Sequence, residues 1–520
     1  MFIRRTNRRE NKQHSGQELS QPENLNQLLT NDLDTNLKMV NHIMGYASDI
    51  IVRKFTFSSL EVKAAIITIK GLSERELINE QVLAALTQDV HFANISNNRQ
   101  LFKQINQRGI PNIFVKEEAN VGNIIAELIT GNTIFFMDGI DSALIIGSQG
   151  WKERSVSEPM SENVVRGPRD GFTESIDTNT ALIRRRIKSP DLRIDEFNIG
   201  KQTKTTVLLL YINGTAREAI VNELKERLLK IKIDGILESG YIEELIEDNP
   251  RSPFPQIDHS ERPDKVSAAI LEGRIAIVVD NTPFVLIVPT VFLQFIQSPE
   301  DYYERFYVAS LTRIVRVAAY FISIILPALY IALTSFHQEM IPTPLALSIA
   351  ASREGIPFPS IGEAFLMEAT FEILREAGLR LPKQAGQAVS IVGGLVIGQA
   401  AVQAGIVSQA MVIVVALTGI SSYAIPAYNA AAAGRLIRFP LMLIASVLGL
   451  PGILAGLTII LIHLSGLRSF GVNFLDPFTS PDEDQLKDTV VRAPWQGMFH
   501  LPGNITGKKV PRVGNVPNPS

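Results

Sequence analysis

Four stretches of the chain are apolar and long enough to cross a bilayer, and all of them lie in its last two-fifths. A membrane-spanning helix needs about 20 predominantly apolar residues. The four stretches are 317–335, 389–407, 410–432 and 441–464. They predict an all-α domain over residues 297–470 that crosses the membrane several times.

Two shorter segments between the first and second stretches predict helices that do not cross fully. Residues 345–351 form an apolar run bounded by prolines, which is too short to span and fits a re-entrant or half-buried helix. Residues 361–377 predict an amphipathic helix. In it, Glu368, Glu372 and Glu376 lie four residues apart and therefore share one face. We expect four full crossings plus these partial ones.

The basic residues agree with this topology only in part. Arg313 and Arg316 precede the first stretch and place the N-terminal part in the cytosol under the positive-inside rule. Four crossings also return the tail to the cytosol, but they leave Arg380, Arg435 and Arg438 on the outer side. A fifth crossing would correct this and would put the tail outside instead. The prediction remains four crossings.

Before the apolar stretches, the chain has the pattern of a soluble α/β protein, in which short β-rich runs alternate with amphipathic helices. Two parts of it resemble each other at a spacing of about 143 residues. Gly71 aligns with Gly214 after a strand, and Asp138 aligns with Asp280 in a hairpin turn between apolar runs. These matches predict two related subdomains. Their bounds are 37–150 and 205–296.

The remaining segments complete the predicted domain organisation. Residues 1–36 are polar and predict a disordered arm. Residues 151–204 predict a charged insertion that contains glycine and proline, and residues 471–520 a polar, proline-rich tail. No apolar segment follows the basic N-terminus, so we expect no signal peptide. The predicted fold class is an α/β cytosolic N-terminal part with two related subdomains, followed by an all-α polytopic membrane domain.

No catalytic or metal-binding pattern occurs in the sequence. The chain has no cysteine, which excludes disulfides and thiolate sites, and its seven histidines form no H-E-x-x-H pair. A net charge of −3 argues against a nucleic-acid binder, which would carry a basic excess. We therefore expect no enzyme activity, no cofactor, no metal and no nucleic acid as a partner.

Acidic residues beside the apolar stretches are the strongest functional candidates. Charge inside a membrane is costly, so it faces a cavity, a partner or water. In a symmetric oligomer, one helix face of carboxylates would form rings that select cations. Alternatively, the helix lies at the membrane surface with its acids in water. The residues predicted to line or gate a pore are Glu339, Glu363, Glu368, Glu372 and Glu376.

Three long strings carry a family resemblance. Ser335–Pro359, Glu158–Lys188 and Gln297–Phe306 resemble the A subunits of nutrient germinant receptors, the GerA-type spore germination proteins. The similarity extends over most of the chain. The motif residues within the strings are expected to be structural. They are Arg166, Gly167, Pro168, Arg169, Gly171, Phe172, Pro342, Pro344, Pro357 and Pro359.

The resemblance implies a multi-pass protein of the inner membrane of bacterial endospores, in contact with membrane lipid. It implies two partners, a transporter-like B subunit that binds the nutrient and a lipoprotein C subunit. The A subunit is then the candidate for a homo-oligomeric, nutrient-gated cation channel that triggers germination. Two alternatives remain open: a non-conducting scaffold that relays the signal and, with less support, a transporter.

Overall fold

The computed structural model describes residues 23–57, 61–78, 97–106, 114–150, 158–159, 162–380, 396, 398–481 and 483–512. The chain divides into two compact units. The first comprises Met1–Lys152 with Lys188–Asp191, and the second comprises Glu153–Ile187 with Leu192–Ser520. The N-terminal half is an α/β structure with two sheets, as the sequence predicts, and the described C-terminal part is mainly helical.

The first unit is built on a five-stranded antiparallel sheet. Its strands are β1 (Ile50–Phe57), β2 (Val62–Ile69), β3 (Val115–Glu118), β4 (Thr133–Met137) and β5 (Ala143–Ile146), in the order β1-β2-β4-β5-β3. The helices are α1 (Leu33–Ile43), α2 (Asn98–Gln104) and α3 (Val121–Ile129). Every residue of β4 and β5 is buried, so these central strands are covered on both faces.

The second unit contains a second five-stranded antiparallel sheet. Its strands are β6 (Leu192–Ile199), β7 (Thr205–Ile212), β8 (Asp258–Ser260), β9 (Ile275–Val279) and β10 (Val285–Val288). The helices that belong to this sheet are α4 (Ile176–Arg186), α5 (Glu218–Lys230), α6 (Ser239–Ile246) and α7 (Pro263–Leu271). The strand order is β6-β7-β9-β10-β8, the same as in the first sheet.

The two aligned aspartates make the same contact in each sheet. Asp138 Oδ1 accepts a hydrogen bond from the Leu33 N–H (3.2 Å), and Asp280 Oδ1 accepts one from the Ile176 N–H (3.4 Å). Both donors are the first residue of a helix, where a carboxylate is favourable for the unpaired N–H groups and the helix dipole. Each repeat therefore begins with a helix that precedes its first strand.

The predicted insertion 151–204 is wrong for this reason. Its described part contains α4 and β6, which are the first helix and first strand of the second repeat. The matching helix α1 begins at Leu33, inside the polar arm predicted for residues 1–36. Within that arm, Leu29 and Leu33 are buried although most of their described neighbours are exposed, so these two side chains pack into the first unit. Residues 1–22 lie outside the described part.

Most of the rest of the second unit is a bundle of helices, and the tail adds a two-stranded sheet of Arg468–Ser469 and Val472–Asn473 and the short helices Glu483–Leu486 and Gly503–Thr506. In chain order, the helices of the bundle are α8 (Glu300–Tyr303), α9 (Phe306–Ser335), α10 (Thr343–Arg353), α11 (Ser360–Arg380), α12 (Gly398–Gln403), α13 (Gln409–Tyr423) and α14 (Tyr428–Gly466). Among the described residues, α9 and α14 are the helices that are long and apolar enough to cross a membrane, and α13 is a shorter apolar helix. Helix α9 contains the predicted stretch 317–335.

Helix α14 folds back on itself at Gly449, whose φ of 63° and ψ of −143° are not helical. A Cβ atom built on Gly456 would lie 2.6 Å from Leu441 Cδ1. These two residues would be about 22 Å apart in a straight helix, given a rise of about 1.5 Å per residue. The chain therefore forms an antiparallel helical hairpin. We call residues 428–448 the outgoing arm and residues 450–466 the returning arm.

Two predicted spans consequently have different bounds. The span 441–464 is wrong as a single crossing because the turn at Gly449 lies inside it. The span 410–432 is wrong because α13 ends at Tyr423 and the outgoing arm begins only at Tyr428. Pro426 lies in the break, where it lacks an N–H group and disfavours a helical conformation in the residue before it.

Two further predictions concern the segments between these spans. Residues 389–395 and 397 of the predicted span 389–407 lie outside the described part of the chain. The run 345–351 does lie within a helix, α10, but none of the residues of α10 is buried. Leu345 and Leu347 are 53% and 66% exposed among the described residues, and the re-entrant or half-buried placement of this helix stays a prediction.

Substituting Gly449 with alanine should destabilise the hairpin. With φ 63° and ψ −143°, Gly449 lies close to a backbone region that is essentially restricted to glycine, and another residue there costs about 1–3 kcal/mol. The new Cβ would also lie 2.7 Å from His337 Cε1 and 3.1 Å from Phe336 Cβ. We expect a lower thermal unfolding midpoint for the detergent-purified protein. Gly466→Ala is the control, because nothing lies within 4 Å of the added Cβ there. Equal midpoints for both variants would contradict the hairpin.

The bundle has two ends. At one end, the Ala427 N–H donates to the carbonyl of Phe295, just after the second sheet (3.3 Å). At the other end, Gly449 packs against His337, just beyond α9. We call these the sheet end and the far end. Helix α9 and the outgoing arm both run from the sheet end to the far end, and the returning arm runs back.

The tail after the returning arm completes the second sheet's core. Ser469 Oγ accepts from the Thr290 N–H (3.0 Å) and donates to the Gln256 carbonyl (2.7 Å). Phe470 and Val472 lie in the same apolar cluster as residues of β7 and β9. The predicted domain boundary between residues 470 and 471 therefore cuts through a folded core.

The tail also holds the start of α9. Asp301 is buried and pairs with Arg313 (2.9 Å) and Arg316 (2.8 Å). Arg492, from the tail, donates to the carbonyls of Asp301 (2.9 Å) and Glu304 (3.1 Å). We call these five residues the junction network. It fixes the beginning of α9 to the tail and to the segment that follows the sheet.

Candidate functional site

Three glutamates of α11 form ion pairs with arginines of neighbouring helices inside the bundle. The pairs are Glu363 with Arg353 (3.1 Å), Glu368 with Arg438, and Glu372 with Arg435 (3.4 Å). Helix α11 runs from the far end, where Ser360 Oγ lies 3.0 Å from Thr334 Oγ1, towards the sheet end. The three pairs therefore follow one another along α11 from the far end to the sheet end. We call them the ion-pair ladder.

Arg438 joins three helices at the middle of the ladder. Its side chain and that of Glu368 are both fully buried. Arg438 Nη1 donates to Glu368 Oε2, and its Nε donates to the Ser323 carbonyl on α9 (2.7 Å). That carbonyl has no helical partner, because the residue four positions on is Pro327, which has no N–H. The arginine thus satisfies both a buried carboxylate and the backbone gap left by a proline.

The Glu363–Arg353 pair at the far end also contacts the N-terminus of another helix, α13. Glu363 Oε2 accepts from the Ser408 N–H (2.9 Å), while its other oxygen accepts from Arg353. Ser408 Oγ in turn accepts from the Met411 N–H (3.2 Å), which is an N-cap contact on α13. A carboxylate at a helix N-terminus is favourable. Glu363 therefore fixes the position of α13 relative to α10 and α11.

At the sheet end, the arginines stack on tyrosine rings. The Arg375 guanidinium lies 4.7 Å from the Tyr423 ring centre and 5.5 Å from that of Tyr428. Arg435, which pairs with Glu372, lies 5.4 Å from the Tyr428 ring centre. Cation–π contacts of this kind are strongest where water is excluded. They tie the end of α11 to the end of α13 and the start of the outgoing arm.

The two pairs of the ladder nearer the sheet end, together with Arg375, are not fully hydrogen-bonded within the described residues. Five buried atoms lack a hydrogen-bond partner, although Glu372 Oε1 is in ion-pair range of Arg435: Glu368 Oε1, Glu372 Oε1, Arg375 Nε, Arg435 Nη1 and Arg438 Nη2. A partly satisfied buried network costs stability, and such groups in folded proteins call for an explanation. The ladder therefore combines paired charges with spare hydrogen-bond donors and acceptors on facing helices.

The structure brings some of the predicted site residues together and separates others. Glu363, Glu368 and Glu372 lie in the ladder. Glu376 pairs with Arg380 (2.6 Å) on the exposed surface. Glu339 is exposed in a short turn beyond the far end of α9. The ladder glutamates face arginines of the same chain rather than an open surface.

Sequence reasoning missed the arginines that complete the ladder. Arg435 and Arg438 were expected on the outer side of the membrane, yet they lie inside the bundle opposite acidic residues. Their spacing was an available signal, because residues three apart within an apolar run share one helix face. A fully buried and a largely buried cation on one face require anions on a neighbour. Glu368 and Glu372, four residues apart, meet that requirement.

The loop of motif residues lies over a second buried ion pair, outside the bundle. Arg262 pairs with Asp264 (2.7 Å) and donates to the carbonyl of Pro168 (3.0 Å). A Cβ on Gly167 would lie 2.8 Å from the ring of Tyr303, so glycine allows close packing there. Burial and the hydrogen bond to Asp264 hold the pKa of Tyr303 above its usual value. Through these contacts the loop packs over the buried pair of Arg262 and Asp264.

The other motif residues make contacts of a similar kind. Phe172 is buried, whereas Arg166 and Arg169 form exposed ion pairs. The Pro342 carbonyl accepts from the Leu345 N–H (2.9 Å) at the start of α10. Pro344 occupies the first turn of the same helix, where proline is tolerated. Gly171, Pro357 and Pro359 lie in the loops before α4 and α11. Their structural role remains a prediction.

Comparison with known proteins gives a consistent result. The family model described as Bacillus/Clostridium GerA spore germination protein matches residues 38–503. Spore germination protein KA of Bacillus subtilis (strain 168) is 47% identical over 493 residues, which cover 95% of this chain and 90% of that protein. Spore germination protein GerLA of Bacillus cereus is 38% identical over 458 residues, covering 88% of this chain and 92% of that protein.

Two further matches are to a protein named as a membrane protein and to a solved structure. A protein of Bacillus subtilis (strain 168) named uncharacterized membrane protein YfkQ is 44% identical over 484 residues, which cover 93% of each chain. The crystal structure of the N-terminal domain of the A subunit of the Bacillus megaterium spore germinant receptor GerK3 is 38% identical. It covers 52% of this chain and 99% of that chain, with a TM-score of 0.42.

Proposed function

We infer the function from one premise: the chain belongs to the GerA family of spore germination proteins. On that premise, we propose that it is the A subunit of a nutrient-sensing germinant receptor in the inner membrane of the endospore. Its partners are a transporter-like B subunit, which binds the nutrient, and a lipoprotein C subunit. The role is a non-enzymatic one.

The bundle supports a multi-pass arrangement with the sheet end in the cytosol. Helices α9, α11 and α13 and both arms of α14 extend between the two ends. In this arrangement Arg380 and Arg435 lie towards the cytosol, in agreement with the positive-inside rule that four crossings violated. Helix α11 then crosses the membrane rather than lying on its surface. Its paired glutamates make that crossing acceptable, because buried charges require partners.

Within this receptor, the chain acts as a homo-oligomeric cation channel, and the ion-pair ladder is its gate. The observation that carries the proposal is the fully buried, incompletely hydrogen-bonded pair of Glu368 and Arg438. A ligand shifts a conformational equilibrium only through different contacts in the two states. Exchange of partners among the ladder charges supplies that difference, and the exposed apolar helix α10 offers a surface to neighbouring copies.

The alternative is a non-conducting scaffold that relays the signal. One observation favours it: the ladder carboxylates are neutralised by arginines of the same chain, which leaves no free ring of negative charge. In that case the conducting pore belongs to another protein. A transporter has no comparable support from the described helices.

Potassium flux from liposomes that contain the purified chain with its two partners separates these possibilities. We expect nutrient-dependent flux that requires this chain. Glu372→Gln should change the nutrient dependence, because it removes one charge of the ladder at a side chain that is only partly buried. Glu376→Gln is the matched control, since its pair with Arg380 is exposed. Absence of flux from a folded complex that binds nutrient would establish the scaffold.

A further inference from the structure

A cleft of about 190 Å³ lies in the second unit, on the sheet side of the junction network. Three separate parts of the chain form most of it, namely helix α7, the segment from Gln294 to Tyr303 and the tail, and Asp258 and Ile287 of the second sheet complete the lining. Its walls are mainly apolar. The residues that define them are Ala268, Ala269, Pro299, Tyr302, Tyr303 and Trp495. A molecule in this cleft would contact all three parts at once.

The charged groups around the cleft are already paired. Lys265 Nζ lies 3.0 Å from carboxylate oxygens of both Asp258 and Glu162. Burial alone would lower the pKa of Lys265, but the two carboxylates outweigh it and raise the pKa, so this lysine stays charged. Arg512 pairs with Glu272 at the other edge. A charged ligand would have to break one of these pairs.

The aromatic wall also disfavours a cationic ligand. The guanidinium groups of Arg492 and Arg512 lie 5.2 Å and 5.5 Å from the Trp495 ring centre. Arg313 and Arg492 lie 5.2 Å and 5.5 Å from that of Tyr302. These cation–π contacts occupy the attraction that the rings would offer to an ammonium group. An uncharged ligand meets neither repulsion nor the cost of breaking an ion pair.

The side-chain amide of Gln294 is one of the polar groups in the wall that still has a free hydrogen-bond donor. Gln294 Oε1 accepts from Arg274 Nη1 (2.6 Å) and from the Val291 N–H (3.1 Å). Its Nε2 makes no hydrogen bond to any of the residues that the structure describes. An amide nitrogen donates to a carbonyl or hydroxyl oxygen. The volume of the cleft limits the ligand to about one ring, because an apolar cavity of about 150 Å³ holds benzene.

We propose that this cleft binds an uncharged compound of one ring with a single hydroxyl or carbonyl oxygen. The ring packs between the apolar side chains and Trp495, and the oxygen accepts from Gln294 Nε2. Occupancy fastens the tail to α7 and α8, and through the junction network to the start of α9. The cleft is thus an effector site on the sheet side of the molecule, and its occupancy is independent of whether the bundle conducts ions.

Cyclohexanol tests the site through Trp495 fluorescence. The chain has two tryptophans, and Trp151→Phe leaves Trp495 as the only one. In the full-length, detergent-purified protein, excitation of Trp495 should report a saturable change as cyclohexanol is added. The charged analogues cyclohexylamine and cyclohexanecarboxylate should bind about tenfold more weakly. Tighter binding of either charged analogue would overturn the assignment to an uncharged ligand.

Three substitutions at Ala268 show whether the fluorescence change comes from cyclohexanol bound in the cleft or from its effect on the detergent. This residue is exposed on α7, so larger side chains fill the cleft without entering the core. Ala268→Phe should weaken cyclohexanol binding by about tenfold or more, Ala268→Leu should give an intermediate loss, and Ala268→Ser should bind like the parent. An unsaturable response, or one that is the same in all three folded variants, would show that cyclohexanol does not bind in the cleft.

Discussion

Arg438→Met should largely prevent the chain from reaching a stable fold. The substitution leaves Glu368 fully buried without its counter-ion and leaves the Ser323 carbonyl without a donor. Removing one partner of a buried pair costs about 3–5 kcal/mol. That is a large share of the roughly 5–15 kcal/mol by which proteins are stable. The measurement is the yield and thermal midpoint of monodisperse protein after detergent extraction.

Two further variants show whether the loss comes from the unpaired charge. Combining Arg438→Met with Glu368→Leu removes both charges, and replacing a buried ion pair by apolar residues is often neutral or stabilising. We expect the double variant to recover much of the lost stability but not nutrient-dependent gating. Arg380→Met, at the exposed pair with Glu376, should change stability by less than about 1 kcal/mol. A single Arg438→Met variant as stable as the parent would mean that the ladder is not buried.

Asp301→Ala should disrupt the junction network with an effect of similar size. It leaves Arg313 and Arg316 without the carboxylate between them, and Arg313 is buried. Asp488 still pairs with Arg313 (2.7 Å), but the two arginines then repel each other in a poorly solvated place, so we expect a loss near the lower end of about 3–5 kcal/mol. Cleavage by added protease should also become faster in the tail, because this repulsion disturbs the Arg313–Asp488 pair and the backbone carbonyls that Arg492 binds.

The tail cleavage distinguishes a local effect from general unfolding. Glu226→Gln removes one partner of the exposed pair with Lys230, on the surface of α5, and should leave both the midpoint and the cleavage rate unchanged. If Asp301→Ala lowers the midpoint without exposing the tail, the network stabilises α9 alone. That result would remove the proposed link between the tail and the membrane helix.

The parts of the fold that sequence predicts are those with local signals. Asp-Gly and Asp-Asn between apolar runs mark the turns at Asp138 and Asp280, and both turns join antiparallel strands. The helical hairpin also had a local signal. Gly449 and Pro451 lie two residues apart in the middle of an apolar stretch that continues far beyond the roughly 20 residues of one crossing.

The ladder could be predicted only in part because its partners are distant in sequence. Glu368 and Arg438 are 70 residues apart, and nothing in the spacing of either helix states which face meets the other. The same limit applies to the tail, since Phe470 follows an apolar span and reads as the start of a polar segment. Its place in the core of the second sheet depends on the hairpin, which returns the chain to the sheet end.

Because the tail returns to the second sheet, the parts of the second unit are completed in a fixed order during synthesis. The ribosome makes the strands of the second sheet before any of the described helices of the bundle, but Phe470 and Val472, which belong to the sheet's core, emerge after all of them. The second unit can therefore mature only once the helices of the bundle have been made. A chain that stops before this point keeps an apolar surface open, and chaperones and proteases can recognise the unfinished chain by it.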